Sequence, residues 1–146
     1  MSETIGFTGS RYGMSAQQSM IVEKLLEDFD NFNNNITTAH NGGCVGADEQ
    51  FEAMCDKLQI PSVRWPANDV QMKWVSRKEP KPNTTIMKAT PHDERNARIV
   101  YNSTRLIATP NSAFHPRSGT WQTIHKAIDE GRRVYIVLVN GMVDVR

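Results

Sequence analysis

Ile5-Gly6-Phe7-Thr8 reads as a short strand that runs directly into Gly9-Ser10-Arg11, a glycine-bearing turn. A helix follows. Ser15 suits its N-cap, and Val22, Leu25, Leu26 and Phe29 recur at i, i+3, i+4 and i+7 along one face. Asn33-Asn34-Asn35 breaks that period and is expected as a turn.

Outward from this unit the same order repeats. Ile36-Thr37-Thr38-Ala39-His40 is a second strand, ending in Asn41-Gly42-Gly43-Cys44-Val45-Gly46-Ala47-Asp48. The helix after it buries Ala47, Phe51, Met54, Cys55 and Leu58, and Pro61-Ser62-Val63-Arg64-Trp65 is a third strand. Residues 67–92 are less regular, with Pro80, Pro82 and Pro91, and are expected as a lid, a partner-facing flap or a mobile segment, with a short helix around Val70 to Val75. From Asp93 a helix runs to about Asn102, then a strand, Leu106-Ile107-Ala108-Thr109. The last helix opens at Ser118-Gly119-Thr120, buries Trp121, Ile124 and Ile128, and stops at Gly131, a C′ glycine. Val134 to Val139 is the most apolar strand and is expected at the centre of the sheet. Alternating strands and helices predict an α/β fold: a Rossmann-like open parallel sheet with helices on both faces.

The 146 residues suffice for one domain and are too few for two ordinary ones, so a single domain over 1–146 is expected. No apolar run approaches the roughly 20 residues that cross a bilayer. Met1-Ser2-Glu3-Thr4 lacks the basic flank of a signal peptide, so a cytoplasmic protein without a membrane role is expected. Cys44 and Cys55 lie outside any CxxC, which suits free thiols in a reducing compartment. His40, His92, His115 and His125 have no ligand spacing with them, so neither a metal site nor a cofactor is expected. Charge is uneven: residues 1–70 hold four basic and ten acidic side chains, residues 71–133 twelve basic and five acidic. That cationic second half suits an anionic ligand, or is a solvated surface.

Gly9-Ser10-Arg11, Gly42-Gly43-Cys44-Val45-Gly46 and Ser118-Gly119-Thr120 each follow a strand and open a helix. A helix N-terminus has unpaired N–H groups and partial positive charge, so it receives phosphate well. Glycine lets backbone come close and adopt φ > 0. In open parallel sheets such turns converge at the carboxyl ends of the strands. The turns match neither GxGxxG nor GxxxxGK[ST], which disfavours an ordinary dinucleotide fingerprint and a Walker ATPase.

The order Gly9-Ser10-Arg11, Gly42-Gly43-x-x-Gly46-x-Asp48, Glu94-Arg95-Asn96 and Ser118-Gly119-Thr120, over roughly residues 5–140, resembles the SLOG superfamily. That group includes DprA-type DNA-processing proteins, LOG-type cytokinin-activating phosphoribohydrolases and ligand-sensing domains of bacterial defence systems. The resemblance implies a Rossmann-like fold that binds a nucleotide or a nucleotide-derived molecule. It implies that Gly9 and Ser10 line a phosphate-ribose pocket, that Gly42, Gly43 and Gly46 form its second wall, that Arg95, with Asn96 beside it, faces the ligand, and that Gly119 and Thr120, after Ser118, hold the phosphate. It also makes a homo-oligomer the expected assembly. One departure matters. The phosphoribohydrolases carry PGGxGTxxE, whereas this chain reads His115-Pro116-Arg117-Ser118-Gly119-Thr120-Trp121-Gln122-Thr123. Thr123 stands in place of the glutamate, and a hydroxyl does not replace a carboxylate as acid or base near neutral pH. Asp48, Asp93 or Glu94 would have to supply one.

Several residues have two readings each. Asp48 touches a ribose hydroxyl or caps its helix. Arg95 binds phosphate or pairs with Asp93 or Glu94. Arg11 and Arg117 flank the pocket or are solvated loop residues. Trp121 stacks on a base or sits in the core, and Trp65 and Trp74 stack or simply pack. Cys44 sits near a helix N-terminus that lowers a thiol pKa. The expected function is capture of a nucleotide or NAD-derived nucleotide by a sensing or sequestering protein. N-glycosidic hydrolysis of a nucleoside 5′-monophosphate is the alternative, and DprA-like single-stranded DNA binding a second one.

Overall fold

The computed structural model describes residues 3–32, 36–112 and 118–146; the Asn33–Asn35 turn and the loop residues Phe114, His115 and Arg117 lie outside the described residues. Strands β1 (Glu3–Gly9), β2 (Ile36–Asn41), β3 (Ser62–Arg64), β4 (Thr84–Ile86), β5 (Arg105–Thr109), β6 (Arg133–Val137) and β7 (Val143–Val145) form one seven-stranded sheet in the order β4-β3-β2-β1-β5-β6-β7. All pairings are parallel except that of β6 with β7. Helices α1 (Ala16–Phe32), α2 (Ala47–Lys57), α3 (His92–Tyr101) and α4 (Gly119–Asp129) connect the strands. The chain is therefore the Rossmann-like open α/β sheet that its alternating pattern predicts.

The period of two within each strand divides the core into two layers. Ile5, Phe7 and Ile107 point to the face covered by α1 and α2, where they meet Val22, Leu26, Phe29, Phe51 and Cys55. Leu106, Ala108, Val134 and Ile136 point to the other face, against Ile99 and Val100 of α3 and Trp121, Ile124 and Ala127 of α4. Phe7 and Phe51 stack with ring centroids 4.3 Å apart and planes 7° apart. Burying either ring contributes on the order of 2–3 kcal/mol.

Capping groups fix where the helices begin and end. The Ser15 hydroxyl accepts from Gln18 N at 3.0 Å and Gln18 Oε1 accepts from Ser15 N at 2.9 Å, a reciprocal capping box. Gln18 Nε2 then donates to the carbonyls of Pro110 and Val137, joining the loops after β5 and β6. At the end of α4, Gly131 has φ +74, its N–H reaches Ile128 O, and Arg132 N reaches Ala127 O. That is the Schellman arrangement expected from the glycine. The end of α2 repeats it with Gln59 at φ 60 in the glycine position.

Three expectations need correction. The apolar strand β6 is not central; it lies next to the edge strand β7, and β1 occupies the middle. Its residues are apolar because both faces are covered, with Val137 in one core layer and Val134 and Ile136 in the other. Strands β4 and β7 were not expected, since three residues apiece are too short to display a period. Residues 67–92 hold less helix than expected. Beyond β4 they contain a 3-10 turn at Met72–Trp74, not a longer helix, and they are tied to β3 through Met87 N to Arg64 O and to the loop after β2 through Val45 N to Trp74 O and Ser76 N to Gly43 O, all within 2.9 Å.

Candidate functional site

β1 has β2 on one side and β5 on the other, so the winding of the chain reverses beside it. At such a switch point the loops leaving neighbouring strands diverge and open a crevice at their carboxyl ends. Here a cleft of about 480 Å³ opens at that place, and all three glycine turns reach it, through Gly9, Ser10 and Arg11, through Gly42, and through Ser118, Gly119 and Thr120.

The turn after β1 is shaped by what lies behind it. A Cβ at Gly9 would meet Thr109 Oγ1 and come 2.5 Å from Ala47 Cβ. Only glycine lets β1, β5 and α2 approach this closely. Ser10 is buried; its carbonyl accepts from Gly13 N and Ala47 N, each at 3.0 Å, and its hydroxyl accepts from Tyr12 N at 3.1 Å. Arg11 is exposed at the cleft mouth, its guanidinium 3.9 Å above the Trp74 ring. The turn does not itself open a helix, since α1 starts only at Ala16.

The turn after β2 is held by the protein's own groups. Arg95, buried on α3, donates through Nη1 to Gly42 O at 2.6 Å and Trp65 O at 3.3 Å, and through Nε to Asn96 Oδ1 at 2.8 Å. A Cβ at Gly42 would lie 2.5 Å from Arg95 Nη1 and 3.1 Å from Asp48 Oδ2, so these two side chains flank the glycine. Asp48 Oδ2 accepts from Cys44 N at 3.1 Å. It thus staples its own loop, while the N-cap of α2 is Gly46. Burial pushes the Asp48 carboxyl up to about 6, against the pull of Arg95 and the loop amides. Burial and Asp48 push the Cys44 thiol up to about 11, the opposite of what its place before a helix suggests, which disfavours the thiolate at neutral pH. Gly43 and Gly46 do not line the cleft. Gly43 has φ +67 and packs on Arg64, whose guanidinium makes a two-pronged ion pair with buried Glu52. Gly46 has φ +85, and a Cβ there would run into the Arg11 carbonyl. These two glycines shape the loop rather than the wall.

The third turn is open. Ser118 caps α4, accepting weakly from Trp121 N at 3.5 Å. In the first turn of any helix the leading N–H groups have no intrahelical acceptor, and here those belong to Gly119 and Thr120. Among the described residues, a Cβ at Gly119 would have nothing within 4 Å. Thr123 is buried and its hydroxyl donates to Gly119 O at 2.9 Å, so no acid or base stands at the position of the LOG-type glutamate.

The remaining candidates divide. Asn96 lines the cleft beside Arg95, and Arg117 lies outside the described residues. Asp93 and Glu94 face solvent and pair with His92 and Arg98. Asp48 is the cleft's one carboxylate among the described residues. Trp121 belongs to the core. Trp65 packs on the same layer and donates to His40 Nδ1 at 3.0 Å; burial holds that imidazole down at about 4, hence neutral. Tyr12, His92, Asn111 and Ser112 also line the cleft and were not singled out as binding residues. Asn111 and Ser112 had a usable signal, because they leave β5 directly at the switch point.

No protein-family model matches this chain, and no curated protein matches it. Among solved structures, it is similar to the X-ray structure of TM1055, a Northeast Structural Genomics Consortium target. The TM-score is 0.62 at 14% identity, over 90% of this chain and 72% of the other. The likeness is one of fold: a Rossmann-like α/β domain.

Proposed function

We propose that the protein binds a nucleotide or an NAD-derived nucleotide, as a sensing or sequestering protein of the SLOG kind. The observation that carries this reading is the meeting of three glycine turns in one cleft at the carboxyl ends of β1, β2 and β5. The ligand's phosphate sits on the amides of Gly119 and Thr120, at the positive end of α4. Ser10, Asn96 and Thr120 offer neutral hydrogen-bonding groups for a ribose, and Arg11 supplies a mobile-length cationic side chain at the mouth. Arg95 acts indirectly, by fixing the Gly42 carbonyl and hence the second wall.

A second reading, hydrolysis of the N-glycosidic bond of a nucleoside 5′-monophosphate, is favoured by Asp48. It is a buried carboxyl in the cleft, raised to about 6, the range in which one group can both give and take a proton. Calorimetry with AMP, CMP and ADP-ribose, followed by chromatography of the recovered ligand, separates the two. Binding with the ligand returned intact supports capture. Release of free base from AMP or CMP, lost in Asp48→Asn, supports hydrolysis. Absence of binding to any of the three rejects both.

A further inference from the structure

We propose that Trp74 is a positioning residue for the cleft: its indole holds the Arg11 guanidinium at the mouth with the N–H edge free, so that Arg11 takes a second anionic group of the ligand. The proposal rests on the nucleotide reading of the cleft and narrows it to a nucleotide that carries two phosphates.

The two arginines that line the cleft are in opposite states. Arg95 is buried, with Nη1 and Nε engaged by Gly42 O, Trp65 O and Asn96 Oδ1. Arg11 is exposed. Among the described residues the arginine ion pairs are those of Arg64, Arg98, Arg105 and Arg146, so Arg11 meets no carboxylate. Nor does its guanidinium donate a hydrogen bond to any described residue. What holds it is aromatic. Its Cζ lies 3.9 Å from the Trp74 ring centroid and 5.4 Å from that of Tyr12. A ring attracts a guanidinium through its face. The five N–H groups lie in the guanidinium plane and remain available for a two-pronged contact with phosphate.

Trp74 is itself fixed. It is half-buried, and its carbonyl accepts from Val45 N at 2.9 Å. Val75 pairs with Cys44 across an antiparallel bridge, and Ser76 N donates to Gly43 O at 2.8 Å. The indole is thus anchored to the loop after β2, and the Tyr12 ring meets it edge-on with centroids 5.9 Å apart. Glu49, the acid that reaches this segment, accepts from Ser76 Oγ at 2.7 Å and Gly46 N at 3.3 Å and leaves Arg11 unneutralised. Lys73 Nζ, 5.1 Å from the same ring centroid, adds a second positive charge. An arginine already held loses less freedom when it binds, which favours the bound state. The proposed phosphate seat on Gly119 and Thr120 lines the same cleft. One seat of backbone amides and a second of arginine at the mouth suit two phosphates on one nucleotide, both on the 5′ oxygen or one each on 5′ and 3′.

The test is calorimetry with AMP, ADP and adenosine 3′,5′-bisphosphate, which differ in whether and where a second phosphate is attached. One of the two doubly phosphorylated nucleotides is expected to bind at least about tenfold tighter than AMP, the effect of one charged hydrogen-bonded contact. Trp74→Leu is expected to bring that ratio below about threefold, as is Arg11→Ala, and the double variant is expected to lower it no further than Arg11→Ala alone. Trp74→Phe keeps a ring face and is expected to retain most of the ratio. A ratio near one in a protein that binds AMP overturns the second seat and leaves the nucleotide reading standing. A ratio that survives Trp74→Leu, with all three ligands bound equally well or weakened alike, overturns the positioning role and leaves Trp74 a packing residue. A double variant that falls well below Arg11→Ala also overturns it, because Trp74 would then act without Arg11. Absence of binding to all three overturns the nucleotide reading and this proposal with it.

Discussion

The loop between β2 and α2 and the start of α4 are both glycine turns between a strand and a helix, yet they behave in opposite ways. In the first, the donors and acceptors are consumed internally. Ala47 N is taken by Ser10 O, Gly42 O by Arg95, and Cys44 N by Asp48. In the second, a Cβ at Gly119 would meet no described residue within 4 Å. Glycine thus serves close approach in both places, but in one the approaching group is the protein itself. Among the described residues the second alone has open space, which is why the proposed phosphate is put on α4 and the β2–α2 loop is assigned to wall and scaffold.

The sharpest way to break this contrast is to add one methyl group to each turn. Gly46→Ala forces a side chain onto φ 85, ψ −122 and against the Arg11 carbonyl. It is expected to cost more than about 3 kcal/mol in urea unfolding. Gly119→Ala meets open space, so stability is expected to change by less than about 0.5 kcal/mol. Nucleotide affinity, measured by calorimetry, is expected to fall at least about tenfold, because the methyl takes the place of the phosphate. Equal destabilisation by the two changes would dissolve the distinction between scaffold and site.

The scaffold loop also has a pH signature. Asp48 has its carboxyl raised from 3.8 to about 6 in the folded protein. The folded state therefore holds the proton more tightly, and this contribution to stability is full below about pH 4 and lost as pH rises through 6. His40, held down at about 4, works in the opposite direction over the same window, so the Asp48 share is read as a difference. Urea midpoints of the wild type relative to Asp48→Asn, whose amide oxygen still accepts from Cys44 N, are expected to fall between pH 4 and 7. The smallest effect lies away from the cleft, at the end of α2. Gln59 occupies a left-handed position without being glycine, and Gln59→Gly is expected to stabilise by about 0.5–1 kcal/mol, read as a higher melting temperature.

How much of this was legible in the sequence follows from what each residue answers to. The five strands and four helices with a core face announced themselves because burial imposes a period on Ile5 and Phe7, or on Val22, Leu26 and Phe29. The Ser15 cap and the Gly131 stop were legible because their chemistry is local. β4 and β7 were not, since their three-residue pairings are dictated by neighbours distant in sequence. In the site, the sequence located the three turns but not their roles. Gly42, Gly43, Gly46 and Gly119 look alike in one dimension. What separates them is the position of Arg95, Arg64 and the Arg11 carbonyl, all remote along the chain. Arg95 itself, read as a ligand contact or a surface ion pair, pairs with neither Asp93 nor Glu94: it lines the cleft and clasps the Gly42 carbonyl from inside.

The central claim is that the anion rests on the first turn of α4. Amide chemical shifts in a two-dimensional NMR titration with AMP read it out residue by residue. The account expects the largest displacements at Gly119 and Thr120, smaller ones at Gly9 and Ser10, and almost none at Gly46 and Ala47. Displacements centred on Gly46 and Ala47, with Gly119 and Thr120 unmoved in a protein that binds the nucleotide, would contradict it.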